Sequence, residues 1–254
     1  GVVFEDLGKF KKAISYYEKA LKLDPEAVNA QANISNIYIA QLDNLEKAIS
    51  ESNKTLKIHH ETSKFINQKI PLYRLKHDVQ QAEYLSSKNY KINGIDKFQK
   101  VGSEILAREE NEKDNSNLNK KILLNQNEIE SLLPFYKANH VYQTLKISGS
   151  CINPDKNWQH VEEQYLNSPK QILYIDNFLS AEAIKELREF CLVSKVWHRE
   201  FEYAKYLGSY SSRGFISPIH LQIAIDLKQK LPKLFGQHIL GKFWAFKYDS
   251  TLGK

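Results

Sequence analysis

From Phe10 to Leu21, apolar and small residues recur every three to four positions, and Pro25 follows shortly after. Such spacing predicts an amphipathic helix that stops just short of Pro25, which cannot continue it. Gly1, Phe4 and Leu7 fit the tail of a preceding helix. Helical spacing returns at Ile34 and Tyr38. It returns again at Leu72, Leu75, Val79 and Ala82, and at Ile95, Phe98, Val101 and Ile105. Residues 109–127, EENEKDNSNLNKKILLNQN, break the pattern with Asn, Lys and Glu and no Pro or aromatic residue, which predicts a polar linker. A short apolar helix is expected from Ile129 to Tyr136, ended near Pro134, and then turn residues in GSCINPDKNW.

Beyond Gln171 the period changes. Ile172–Ile175 reads as a short strand and Asp176-Asn177 as a turn, with Phe178 and Leu179 plugging into the core. Ser180 is placed to cap a helix whose first turn holds Glu182 and whose inner face carries Ile184, Leu187 and Cys191. Ser217-Pro218 opens another helix with a stripe of Leu221, Ala224, Leu227 and Leu231, closed by Pro232 and Gly236. KFWAFKY, ending at Tyr248, alternates as a strand: Trp244, Phe246 and Tyr248 on one face, Phe243, Ala245 and Lys247 on the other.

Two resemblances follow from these residues. Gly8, Ala13, Tyr17, Ala20, Leu21 and Pro25 resemble the second helix of a tetratricopeptide repeat: two small alanines let helices approach, and the tyrosine fills the space between them. Ala48, Thr55 and His60 form a weaker copy 35 residues later, in which Ser52 replaces the aromatic residue and His60 the proline. Repeats of this kind stack into a concave surface that binds protein or peptide.

The phrase Ile175-Asp176-Asn177-Phe178-Leu179-Ser180, then two helices, then Tyr248 through Gly253, resembles the entry to an Fe(II)/2-oxoglutarate-dependent dioxygenase domain of the prolyl-hydroxylase-like kind. That resemblance covers about residues 170–254, with one more residue between Tyr248 and Gly253 than the common form. It implies an α+β chain: a helical solenoid followed by the N-terminal portion of a double-stranded β-helix, or jelly roll. It also implies Fe(II) and 2-oxoglutarate as cofactors of the full-length protein, an unidentified hydroxylation substrate, and Tyr248 as the group that hydrogen-bonds the 2-oxoglutarate carboxylate. The family's His-x-Asp ligands would lie beyond Lys254, so neither catalytic nor metal-ligating residues are assigned here. This chain alone is expected to be inactive and to bind neither cofactor tightly. The alternative is a non-enzymatic repeat scaffold for protein–protein interaction.

The expected organisation is helical repeats with capping helices over 1–108, linker over 109–127, a connecting segment over 128–170, and the truncated oxygenase-like part over 171–254. No methionine occurs, even at position 1, so the chain reads as a fragment.

Composition narrows the remaining classes. With 254 residues, 42% hydrophobic and 26% charged, the chain can bury a sizeable core. It has no run long enough to span a membrane, and its N-terminus lacks the layout of a signal peptide. Cys151 and Cys191 read as free thiols of a cytoplasmic protein. The formal charge of +6 is concentrated at the C-terminal end, where residues 171–254 carry 12 basic against 8 acidic side chains without an aromatic-interleaved cluster. Nucleic acid is therefore not an expected partner. Two H-x-[DE] matches, His59 with Glu61 and His160 with Glu162, are unremarkable where 8 histidines and 30 acids in 254 residues supply about one by chance. His198, His220 and His238 have no acidic partner at useful spacing and read as surface or capping residues. No nucleotide-binding, P-loop, zincin or nucleophile-elbow motif occurs.

Overall fold

A computed structural model describes residues 1–42, 44–62, 68–110, 120–203 and 205–248. The chain opens with four helices, α1 (Val2–Asp6), α2 (Phe10–Leu23), α3 (Val28–Gln41) and α4 (Leu45–Thr62), each packed on the next. Ala13 is fully buried, and Tyr17 fills the gap beside it. The Tyr17 hydroxyl donates to Glu5 Oε2 at 2.8 Å. Burial first, then this carboxylate, pushes the phenol up to about 12. The residues of the weaker copy lie on the helix pair α3 and α4: Ile34 and Ile37 pack against Ala13 and Tyr17 of α2, and Ile39 packs with Ala48 of α4. With histidine at position 60 in place of proline, α4 runs on to Thr62.

Ser52 explains the other departure from the repeat pattern. It is fully buried under a 3-10 turn at Ser211–Arg213. Its hydroxyl donates to Ser211 O at 2.6 Å and accepts from Gly214 N at 2.8 Å. An aromatic ring would occupy the space of that turn. Gly214 has φ +94, and a Cβ there would stand 2.6 Å from Leu56 Cδ2, so the turn needs glycine. Ser52→Ala should cost about 1–3 kcal/mol by leaving two buried backbone groups unpaired. Urea denaturation checks this; an unchanged midpoint would refute the account.

The next unit pairs β1 (Lys69–Pro71) with β2 (Lys121–Leu123) antiparallel, Ile70 opposite Ile122. Around this ribbon pack α5 (Leu72–Ser87), α6 (Ile95–Glu110) and α7 (Gln126–Lys137). All eight apolar positions expected on α5 and α6 enter one core with Ile122, Leu132 and Phe135. Of the polar stretch, 121–123 form β2, while 111–119 lie outside the described residues. Asn125 and Glu128 form a capping box on α7. The helix expected over Ile129–Tyr136 spans Gln126–Lys137, with Pro134 inside its last turn. Proline in a last turn removes one hydrogen bond without blocking the residues after it.

The C-terminal part contains α8 (Trp158–Asn167), α9 (Ala181–Val193), β3 (Arg199–Phe201), β4 (Tyr206–Tyr210), α10 (Pro218–Lys230), α11 (Pro232–Phe235) and β5 (Trp244–Lys247). The strands form an antiparallel sheet in the order β3-β4-β5. Ser180 caps α9 by accepting from Ala183 N, as its position predicts. Ser217 precedes α10 as expected, but its hydroxyl bonds the His220 ring and Thr144 instead of the helix backbone.

Two expectations are overturned. Residues 172–175 form no strand: Ile172 and Tyr174 are exposed, and only Leu179 makes a bridge, to Ile152. A short apolar run does not make a strand where no neighbour offers a ladder. The buried face of α9 carries Ala183, Glu186, Phe190 and Val193, while Ile184 is exposed. The helix turns this way because Phe190 reaches Phe215 and Glu186 accepts the Leu145 N–H.

Candidate functional site

Three places gather chemistry. The first is the sheet face that carries Tyr248. Alternation along β5 turns Phe243 and Ala245 toward the core around Phe190, Trp197 and Leu207. Trp244, Phe246 and Tyr248 face outward, and Tyr248 is 63% exposed. The Tyr248 ring lies 4.6 Å from that of Tyr206, which stacks on Phe201. Gly208 lies between Phe201 and Phe246; a Cβ there would stand 2.7 Å from Phe201 Cε2.

The second is a groove of about 480 Å3 between α2, α3 and α4. Leu21, Ile34 and Tyr38 supply its apolar surface, and Lys22, Lys47 and Lys54 its positive charge. Glu51 sits at its base. It accepts from Lys47 at 2.9 Å, Lys54 at 2.8 Å and Gln31 Nε2 at 2.6 Å. Burial opposes charging of this carboxylate, but the three donors together hold its pKa below the ordinary value.

The third is a cavity of about 430 Å3 where α4, α5, α7 and β3 converge. Here α4 contributes His59 and His60, and the segment after α9 contributes Lys195, Trp197 and His198. The His198 ring lies 4.7 Å from His59 and 5.1 Å from His60. Arg74 and Asp78 are one turn apart on α5, with Nε to Oδ2 at 2.5 Å. Tyr136 donates to the same oxygen at 2.9 Å. Lys195 Nζ donates to Phe135 O and Ala138 O, and so caps α7 with a cation. Burial pulls this amine down to about 7. Burial, reinforced by Arg213 and Arg74, holds His59 down at about 4. The same effect, reinforced by Lys195, holds His60 at about 3. Burial also keeps His198 well below its ordinary value and raises Glu200.

A tetratricopeptide-repeat family model matches residues 1–26. The N-terminus is a tetratricopeptide repeat. No curated protein and no solved structure matches the chain. The repeat thus comprises α1 and α2, with their Ala13 and Tyr17 packing, and it forms one wall of the groove. No helix among the described residues is long and apolar enough to cross a membrane.

Of the histidines read as surface or capping groups, only His238 is exposed. His220 packs among Phe190, Phe215 and Phe243, and burial lowers it to about 3. His198 lines the cavity. Sequence reading missed both because their neighbours come from distant segments. His160 is exposed on α8, where its backbone N–H is capped by Asn157.

The imidazoles make stability depend on pH. Their folded-state pKa values lie below the unfolded value of about 6.5, so the unfolded chain binds more protons as pH falls from 6.5 toward 4. Stability is therefore fully present above pH 6.5 and is lost below it. Melting temperature should fall between pH 7.5 and pH 5, and His220→Phe should flatten part of that slope. An identical slope in the variant would contradict this.

Proposed function

We propose that the chain is a protein-binding scaffold whose groove between α2, α3 and α4 takes an extended peptide with an acidic end. The observation that carries this reading is the groove itself: apolar surface from Leu21, Ile34 and Tyr38 beside Lys22, Lys47 and Lys54, the last two shared with Glu51 at the base, walled by a tetratricopeptide repeat. Such stacked helix pairs present concave surfaces to peptides. Selection from a random peptide display library on the intact chain tests it. Acidic-ended peptides should be enriched, and Lys22→Glu with Lys54→Glu should weaken them about tenfold or more. Peptides indifferent to both reversals would sink the reading.

A second reading concerns the C-terminal part, as the front of an Fe(II)/2-oxoglutarate-dependent oxygenase. It is supported by the order of the Ile175–Ser180 phrase, α9, α10 and then β5 paired antiparallel with β4. In this reading Tyr248 would meet the 2-oxoglutarate carboxylate. Among the described residues, no set of three or more His, Cys, Asp or Glu is arranged to hold a metal, so no step is routed through iron. The test is the reading frame past Lys254. A His-x-Asp there, with Fe(II)-dependent succinate formation that Tyr248→Phe impairs, would support the oxygenase. A frame without that pair would end it.

A further inference from the structure

The histidine cavity plays no part in either reading above. We propose that it binds a compact tetrahedral oxyanion, phosphate or the phosphate group of a phosphomonoester. His60 is 5% exposed, and its Nδ1 has no hydrogen-bond partner. The Nε2 of His198 is likewise shut from solvent and unpartnered. Buried polar atoms left this way are costly, and they imply a ligand or water that completes them. His198 can present an N–H to an anion, while neutral His60, which bonds the Lys195 backbone, can accept the P–O–H proton of a monohydrogen phosphate. In its ammonium form Lys195 uses two of its three N–H bonds on the carbonyls of Phe135 and Ala138, which leaves the third, and a bound anion favours that form.

The arrangement of donors selects the shape of the anion. Planar carboxylates favour the two-pronged edge of a guanidinium. Here Arg74 already gives Nε to Asp78 and Nη1 to His198 O. What remains are single donors carried by three separate elements: α4, the segment after α9, and β1. Such a set suits a tetrahedral group. Charge favours an anion as well. Asp78 is engaged by Arg74 and Tyr136, and burial holds Glu200 toward its neutral form. Lys69 and Lys121, both exposed, stand at the rim, Lys121 beside Glu202. A metal cation would meet Arg74 and Lys195 instead of carboxylates free to ligate it. The cavity exceeds what inorganic phosphate alone requires, which leaves room for an ester substituent.

Thermal unfolding of the intact chain and 31P line broadening, at pH 7 and constant ionic strength, test the proposal. The probes are inorganic phosphate, glycerol phosphate, succinate and zinc ion. Saturable stabilisation by phosphate or its ester is expected below about 10 mM. A tighter ester would identify a phosphomonoester as the source, and equal affinities would identify free phosphate. His198→Asn should weaken binding about tenfold. The pair Lys69→Ala, Lys121→Ala lies on exposed strand positions and should weaken it several-fold without lowering the ligand-free melting temperature; it decides the matter if the histidine variant fails to fold. Three results would overturn the proposal: no saturation with either phosphate, stabilisation by succinate or zinc at lower concentration, or undiminished affinity in the folded variants.

Discussion

Asp78→Ala is expected to destabilise the protein by about 3–5 kcal/mol, among the largest effects of any single change here. Asp78 accepts from the Arg74 guanidinium and the Tyr136 hydroxyl, and all three side chains are buried. Removing the carboxylate takes the shortest charged partner from a desolvated cation, whose other contacts include the His198 carbonyl at 3.3 Å and Glu200 at 3.8 Å. The pair's own worth is smaller than this loss, because burying two charges offsets much of their attraction. The double variant Asp78→Leu, Arg74→Met should therefore recover much of what the single change loses. Guanidinium denaturation of both variants decides it. A single variant within about 1 kcal/mol of the parent would mean that water reaches Arg74 freely.

Phe190→Ala should cost a comparable amount, about 3–5 kcal/mol, by leaving a cavity that its neighbours cannot collapse into. Phe190 is fully buried, with ring centroids 5.5 Å from Phe215 and 4.8 Å from His220. The same cluster includes Leu56 from α4, Tyr73 from α5 and Leu207 from β4. One ring thus joins the helical N-terminal part to the sheet, and its loss should loosen both at once. Fluorescence from Trp197, which packs in that cluster, and far-ultraviolet dichroism should report a single shared transition at lower denaturant. Two separated transitions would refute that coupling. Phe190→Leu should retain about half of the lost stability, since it replaces most of the removed volume.

What could be read from the sequence was local. The repeat was legible at Ala13, Tyr17 and Pro25 because small-large-small spacing at helical period has few other causes. Ser180 was legible because a cap needs only its own helix. The strand expected over 172–175 failed for the opposite reason: a strand is completed by its neighbour, and Ile172 and Tyr174 have none. On α9, Ile184 and Ala183 could each have faced inward by period, and the choice fell to Phe190 and Phe215. The cavity was illegible because His59, His60 and His198 meet only once α4 and the segment before β3 are brought together. The placement of Tyr248 on β5 was readable as alternation, but alternation does not say which face is covered.

The bond network of Ser52 bears on how this protein can be cut for expression. Leu56 and Tyr73, on the N-terminal side, lie against Phe190 and Phe215, while Ser52 holds the Ser211–Gly214 turn. A trimmed version ending near residue 110 would bare that greasy strip to water and would tend to clump, so the early helices are best produced together with the late ones.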